Sequence, residues 1–230
     1  RHALCSTGAM PNSAVGDPLD DPQTLFKLAL SHHQAGESSR AKLLYQRILE
    51  TNPKHVSSWQ NLGTLRNAQH DVDGALEAYH NAIALDPGSA TLRANFAEIL
   101  RRAGDLEAAY AEASYAIALE PNNYHAHFNC AIIEAERGNN DNALTHYHKA
   151  AELDPAHPQP HEYMGTLKLR MGNNTHAEQH FRDAMKRDPA DPKPHFGLAL
   201  TLLAQGRLSE GWQEWDFRIQ CDHFETGLLR

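Results

Sequence analysis

The sequence contains 16 histidines in 230 residues, and two of them have the spacing of metal ligands. His176 and His180 are four residues apart, so on a helix they would lie on one face, as zinc ligands do. A zinc site also needs a third ligand and supporting hydrogen bonds, and Cys130 falls on a position that we interpret as core. The same spacing is typical of exposed or packed histidines. We predict no bound metal and no cofactor.

Three asparagines, Asn61, Asn95 and Asn129, recur at intervals of 34 residues and offer a different chemistry. A carboxamide donates and accepts, so a ladder of them can pair with the backbone of an extended peptide regardless of its sequence. The alternative is that each asparagine bonds to nearby backbone and sets the geometry of a repeat. The same column ends as Tyr163 and Gly197, so the ladder is short.

The adjacent Arg101 and Arg102 form the best local anion site. Guanidinium groups bind acidic partners through charge-assisted hydrogen bonds. The alternative is a solvated basic helix end, where cations complement the helix dipole, with Glu98 as an intrahelical partner one turn before Arg102. The sequence leaves both readings open.

Several function classes lack support in the sequence. There is no phosphate-binding glycine loop, no nucleophile elbow, and no Ser, His and acid set that stands out. We therefore expect no enzyme activity in this chain. The formal charge of −8 argues against nucleic acid, because binding to phosphates requires clustered Lys and Arg.

The apolar runs and the cysteines suggest a compartment. No run approaches the roughly 20 apolar residues that cross a bilayer, so we expect no membrane insertion. The three cysteines, Cys5, Cys130 and Cys221, are too few and too far apart for a disulfide framework. We expect a cytoplasmic protein in a reducing environment.

A strict internal period predicts the helices that position the histidines, asparagines and arginines. Five prolines stand 34 residues apart: Pro53, Pro87, Pro121, Pro155 and Pro189. Such a period predicts one helical hairpin that is copied and stacked, because a single copy cannot bury its apolar face. We expect an irregular lead-in over 1–21, about six hairpins over 22–225 and a terminal segment at 226–230. The six rows begin near residues 22, 56, 90, 124, 158 and 192.

Columns of small and large residues predict how the helices pack. Small residues would let the paired helices approach closely, at Ala29, Gly63, Ala97, Ala131, Gly165 and Ala199 and at Ala41, Ala75, Ala109, Ala143, Ala177 and Gly211. Larger core positions precede the first small column, at Leu28, Leu62, Phe96, Cys130, Met164 and Leu198. Glycines should end the first helices in a left-handed conformation, at Gly36, Gly104, Gly138, Gly172 and Gly206, with His70 replacing glycine in the second row.

The repeat resembles a known family. The tetratricopeptide repeat has a 34-residue signature with these residue types at these intervals: Trp59, Leu62, Gly63, Ala75, Tyr79, Ala82 and Pro87. The resemblance implies an all-α fold, a right-handed superhelical solenoid of antiparallel helix pairs with a concave groove. The first helices would line that groove. The family's lysine-and-asparagine carboxylate clamp is not expected, since Phe26 and Leu30 occupy the corresponding places in the first row.

We expect a protein or peptide partner in that groove. Beside the asparagine column, the candidate groove residues are Gln60, Thr64, Asn67, Glu98, Arg101, Arg102, His125, Phe128, Glu136, Glu162, Tyr163 and Arg170. They mix polar groups, aromatic rings and both signs of charge. They therefore do not indicate one class of ligand.

Three histidines form a column of their own. His127, His161 and His195 replace the large residue that Trp59 supplies in the second row, and we expect them to pack between hairpins. Burial disfavours a charged imidazole, so protonation below about pH 6 should loosen the stack.

The last row departs from the pattern. Its Gly211, Trp212, Trp215 and Arg218 resemble a junction in bacterial proteins where tetratricopeptide repeats lead into a glycosyltransferase domain. Aromatic rings also cap a terminal hairpin. Three hypotheses remain: a scaffold that binds a partner polypeptide, the acceptor-recognition region of a protein O-glycosyltransferase whose catalytic domain lies outside this chain, and a self-assembling scaffold.

Overall fold

A computed structural model describes residues 21–221 of the chain. These residues form α-helices and one short 3₁₀ helix, with no β-strand in this described range, so the predicted all-α fold is confirmed. The expectations for most of the lead-in and for the terminal segment at 226–230 lie outside the described residues. No helix between residues 21 and 221 has both the length and the apolar character that spanning a bilayer requires.

The helices fall into two compact units, one up to Leu85 and one from Asp86 onward. The helices of the first unit are α1 (Pro22–Gln34), α2 (Ser38–Thr51), α3 (Val56–Ala68) and α4 (Val72–Leu85). Those of the second are α5 (Ala90–Arg102), α6 (Leu106–Leu119), α7 (Tyr124–Glu136), α8 (Asn140–Leu153), α9 (Gln159–Arg170), α10 (Asn174–Arg187), α11 (Pro192–Ala204) and α12 (Leu208–Trp215), followed by the 3₁₀ helix Asp216–Gln220.

Each odd-numbered helix packs against the helix that follows it, and the pair forms one hairpin of the repeat. Within the second unit the first helices of neighbouring hairpins also contact each other, as α5 with α7 and α9 with α11. In the second unit, the first helices of these neighbouring hairpins therefore lie side by side on one face. Side chains that project from that face are the ones that a groove would offer.

Side chains at the helix starts explain where the chain turns. Asp105 caps α6, since its Oδ1 accepts a hydrogen bond from the backbone nitrogen of Ala108 at 3.0 Å. From the sequence, Asp141 is the equivalent candidate cap for α8. The N-cap there is Asn139, and Asp141 lies inside the first turn, where its charge complements the helix dipole.

The left-handed residues that end the first helices lie where the sequence predicts them. Five of these residues are glycines with φ between 74° and 88°: Gly36, Gly104, Gly138, Gly172 and Gly206. In the second row His70 adopts the same conformation, with φ of 62°. A side chain at this conformation carries a steric cost that glycine avoids.

The small columns bring helices into close contact. A Cβ at Gly63 would lie 2.7 Å from the ring of Tyr79, and one at Gly165 would lie 2.8 Å from the ring of Phe181. Each of these rings belongs to the second helix of the same hairpin. The prediction that larger residues would hold the two backbones apart is confirmed at these positions.

One predicted core residue is wrong. The column that contains Leu28 is buried at Leu62, Cys130 and Met164, but Leu28 itself is 43% exposed. In the second unit this column lies between successive hairpins. Leu28 is on α1, the first helix of the described residues, so no earlier described hairpin covers it.

Candidate functional site

The three asparagines lie half-buried on first helices, but they do not share one role. Asn129 donates from Nδ2 to the backbone oxygen of Ala94 at 2.8 Å, which ties α7 to α5. Within residues 21–221, the carboxamides of Asn61 and Asn95 form no hydrogen bond. One asparagine therefore sets the stacking of two helices, whereas the donors and acceptors of the other two carboxamides are unpaired within the described residues.

Among the candidates of the first unit, Thr64 is the one whose side chain forms hydrogen bonds with described residues. The hydroxyl of Thr64 lies 2.8 Å from the Tyr79 hydroxyl and donates to the backbone oxygen of Gln60 at 3.1 Å. Asn67 is only 9% exposed, and its Oδ1 is buried without a partner. Gln60 is half-buried on α3.

The arginine pair divides into one bound and one exposed side chain. Arg101 donates to both carboxylate oxygens of Glu98, at 2.8 and 2.9 Å, and to Glu136 of α7 at 2.6 Å. We expected Glu98 to pair with Arg102. The structure pairs it with Arg101 instead, and Arg102 is exposed at the end of α5. Arg101 is thus bound by two carboxylates, which hold its pKa above the usual range.

Aromatic rings fill the neighbouring part of the second unit. Phe128 is 9% exposed, so it is a core residue rather than an open groove residue. Its ring stacks on Tyr124 at 5.7 Å and meets Tyr147 and Tyr163 at 5.9 and 5.3 Å between centroids. Tyr163, on α9, is 37% exposed and forms the accessible edge of the cluster.

Two further candidates are exposed. His125 lies on α7 with its ring 5.2 Å from Tyr124, and Arg170 is the last residue of α9. Glu162, the residue before Tyr163, is half-buried, and burial raises its pKa to about 7. The odd-numbered helices of the second unit therefore present four groups: the free carboxamide of Asn95, the ring of Tyr163, the carboxyl group of Glu162 and the guanidinium of Arg101, whose charge is balanced by two carboxylates.

The histidine column has a role that the sequence did not reveal. Trp59 Nε1, His127 Nε2 and His195 Nε2 each donate to the backbone oxygen of the proline six residues earlier, at 2.9 to 3.1 Å. Arg93 does the same with Nε at 3.0 Å. In the remaining row the donor to Pro155 is Arg187 at 2.7 Å. In four rows a nitrogen donor at this column therefore binds the hairpin to the turn before it.

The same residues also reach the second helix of their own hairpin, 19 residues later. Arg93 pairs with Glu112 at 2.7 Å, and His195 Nδ1 lies 2.6 Å from Glu214. His127 and His161 instead face other histidines, His146 and His180. We expected these side chains to pack between hairpins; these contacts lie within one hairpin.

The two histidines with metal-ligand spacing, His176 and His180, both lie on α10. Among the described residues, no group of three or more His, Cys, Asp or Glu is placed to hold a metal ion. His176 Nδ1 lies 2.8 Å from Oδ1 of Asn173 at the start of α10, and His180 packs near His148 and His161. Cys130 is buried, which raises the pKa of its thiol to about 12.

The last described hairpin is covered by aromatic rings. Phe217 stacks on His195 at 3.9 Å, and Trp215 packs on Phe196 at 5.5 Å. Arg218 lies over the ring of Trp215. Trp212 is 56% exposed.

Comparison with known proteins gives matches along most of the chain. Residues 42–161 match the family described as the cytochrome c-type biogenesis protein H TPR domain. Residues 23–55 and 164–215 match two further tetratricopeptide repeat families. Among curated proteins, Photosystem I assembly protein Ycf3 of Synechococcus sp. (strain WH7803) is 34% identical over 86 residues. That match covers 31% of this chain and 50% of the relative, so the chain spans about half the length of this protein.

Solved structures share the fold at low sequence identity. PilW, described as a widely conserved type IV pilus biogenesis factor, has a TM-score of 0.79 and 18% identity, covering 93% of this chain and 98% of that one. YrrB, described as a TPR protein with an unusual peptide-binding site, has a TM-score of 0.58 and 19% identity, covering 82% and 94%. With a family match over more than half of its residues, the chain belongs to the tetratricopeptide-repeat proteins, through the family of the cytochrome c-type biogenesis protein H TPR domain.

Proposed function

We propose that this chain is a non-enzymatic scaffold that holds an extended segment of a partner polypeptide on the face of its first helices. The observation that carries the proposal is that unpaired polar groups and accessible apolar surface occur together on that face. Asn95 offers an unpaired carboxamide, and Tyr163 offers a ring that is 37% exposed. Backbone pairing and pockets for side chains are the two requirements for holding an extended peptide.

Arg101 supports binding without selecting an acidic ligand. Its charge is balanced by Glu98 and Glu136, so an acidic peptide would have to displace a carboxylate that is already bound. Arg102 is the exposed cation next to it. Bound peptides should therefore show no general requirement for acidic residues.

Selection from a displayed library of random linear peptides tests this function. We expect the full chain to select peptides, Tyr163→Ala and Asn95→Ala to weaken their binding, and Tyr115→Ala to leave it unchanged. Tyr115 is the matched control, because it is a tyrosine with 50% exposure on a second helix, α6. Equal losses for Tyr115→Ala and Tyr163→Ala would contradict the proposal.

Asn129→Ala distinguishes the two readings of the asparagine column. The amide of Asn129 already bonds to Ala94, so its removal should lower the melting temperature. Asn95→Ala should reduce peptide binding with little change in melting temperature. If both variants only destabilise the fold, the asparagines are structural and the peptide is held by other groups.

The two other hypotheses have less support. The segment that resembles a transferase junction uses Trp215, Phe217 and Arg218 in contacts within the last hairpin, which account for these residues without a further domain. Self-assembly would use the exposed Leu208, Trp212 and Ile219 near that end. Sedimentation showing a monomer at all concentrations would exclude self-assembly.

A cytoplasmic site of action fits the free Cys130 and Cys221.

A further inference from the structure

Glu162 occupies a position that the neighbouring rows fill with an aromatic ring. The residues 34 before and 34 after it are Phe128 and Phe196. Phe128 lies among three tyrosine rings, and Phe196 packs on Trp215 at 5.5 Å. A carboxyl group therefore stands at a repeat position whose occupants in the two adjacent rows pack against rings.

The carboxyl group of Glu162 has no partner of its own. Within residues 21–221 it forms neither a hydrogen bond nor an ion pair. The charged groups that face it across α9 and α11 are Lys193, which favours its ionised form, and Asp191, which opposes it. Removal from water is the main reason that its pKa is raised.

The following row places no side chain over this carboxyl group at the position from which Tyr163 covers Phe128. In the preceding row, Phe128 is covered by the ring of Tyr163, 35 residues later. The residue 35 after Glu162 is Gly197, which has no side chain to place there. Even a Cβ at Gly197 would lie 2.4 Å from the ring of Phe181, so the close packing of α10 and α11 excludes any side chain at this position.

We propose that the carboxylate of Glu162 binds a lysine or arginine side chain of the partner polypeptide, next to the ring of Tyr163. This inference rests on the proposed function and specifies the ligand chemistry. The chain carries a formal charge of −8, and Arg101, whose charge reaches the adjacent Tyr163, is already held by two carboxylates. The net negative charge attracts a basic partner, and Lys193 is the cation that opposes this attraction at Glu162.

The energetics favour a cation over a neutral donor. Folding has already removed much of the water around Glu162. An incoming ammonium or guanidinium therefore gains Coulomb attraction, while the carboxyl group loses little further hydration. The exposed Tyr163 adds attraction between the cation and the ring face. Lys193 is the only competitor that faces Glu162 within the described residues, and it forms no ion pair with it.

The test uses the full chain and the same displayed library of random linear peptides. We expect the wild-type protein to enrich Lys or Arg at one position of the selected peptides. Glu162→Phe should still select peptides but lose this enrichment. Phenylalanine stands at this column in Phe128 and Phe196, so the variant fits the repeat. Glu152→Gln, an exposed acid on the second helix α8, is the control that should keep the enrichment.

A double-mutant cycle on one selected peptide sharpens the result. Replacing its enriched basic residue by Gln should weaken binding to the wild type by about ten-fold or more, and should have little effect on binding to Glu162→Gln. An enrichment that persists in Glu162→Phe, or an equal loss in both backgrounds, overturns the basic site while leaving the scaffold function intact. A library from which no variant selects any peptide overturns the scaffold function as well.

Discussion

Nδ1 of His127 lies 3.0 Å from Nδ1 of His146, across the two helices of one hairpin. Because Nε2 of His127 donates to the backbone oxygen of Pro121, the neutral ring can only accept at Nδ1, and His146 must be the donor. Two rows later the equivalent contact joins His195 to Glu214. The same place in the repeat thus holds a histidine pair in one row and a histidine with a carboxylate in another.

Mild acid should destabilise the fold. Burial, followed by the nearby His127 and His161 respectively, lowers the pKa of His146 and of His180, the latter to about 4. Burial also lowers the pKa of His161, where Arg187 and His148 add to the effect and Asp183 opposes it.

The sign of this effect follows from proton binding. The unfolded chain binds more protons than the folded chain below the free pKa of about 6.5. The stabilisation is therefore complete above that pH and is lost as the pH falls toward 4. Circular dichroism should show a lower melting temperature at pH 5.5 than at pH 8. Burial raises the pKa of Glu162, so this group acts in the opposite direction over the same pH range. In Glu162→Gln, which removes that contribution, an unchanged melting temperature would contradict the histidine packing.

A carboxylate in place of His146 should remove part of that sensitivity. His146→Glu would recreate the contact between His195 and Glu214, and we expect a gain of about 1 kcal/mol near pH 6. Urea unfolding at pH 6 and pH 8 measures it. His125→Glu, which adds the same charge on an exposed part of α7, should give no comparable gain. Equal effects of the two substitutions would show that net charge, and not the contact, is responsible.

Gly197 should tolerate no side chain. In Gly197→Ala the new Cβ would lie 2.4 Å from the ring of Phe181, so α10 and α11 would have to separate. We expect a loss of about 1–3 kcal/mol in the free energy of unfolding. Gly88→Ala is the control, since no atom lies within 4 Å of its Cβ position. A stable Gly197→Ala variant would show that the two helices are less closely packed than described.

The left-handed residue of the second row gives a reciprocal pair of substitutions. His70 has φ of 62°, whereas Gly104 occupies the same place in the next row with φ of 88°. His70→Gly should stabilise the fold by about 1 kcal/mol, and Gly104→His should destabilise it by a similar amount. Chemical denaturation checks both. A loss of stability in His70→Gly would mean that the histidine side chain makes a stabilising contact.

The 34-residue period predicted most of the fold, because every row places small and large residues at the same positions of two packed helices. It did not predict local differences between rows. Glu98 pairs with Arg101 rather than Arg102, because the two carboxylates of Glu98 and Glu136 meet only one of the adjacent arginines. The exposure of Leu28 depends on what precedes α1, which the column pattern does not encode.

The site was predicted less completely than the fold. Phe128 was a groove candidate by position, but its ring is covered by Tyr163 from the next hairpin, a contact between rows that reading one row does not reveal. The bonds from the column of Trp59 and His127 to the preceding prolines were missed too. Their signal was present, since the residue of that column carries a side-chain nitrogen in every row from the second to the sixth.

Site-specific photo-crosslinking tests the central claim most directly, that a partner polypeptide lies on the face of the first helices. A benzophenone amino acid would replace Tyr163 on α9 or, as the matched control, Tyr115 on α6, and each protein would be irradiated with a library-selected peptide. The account predicts a covalent adduct from position 163 and none from position 115. Adducts that are equal at both positions, or that form only at position 115, would contradict it.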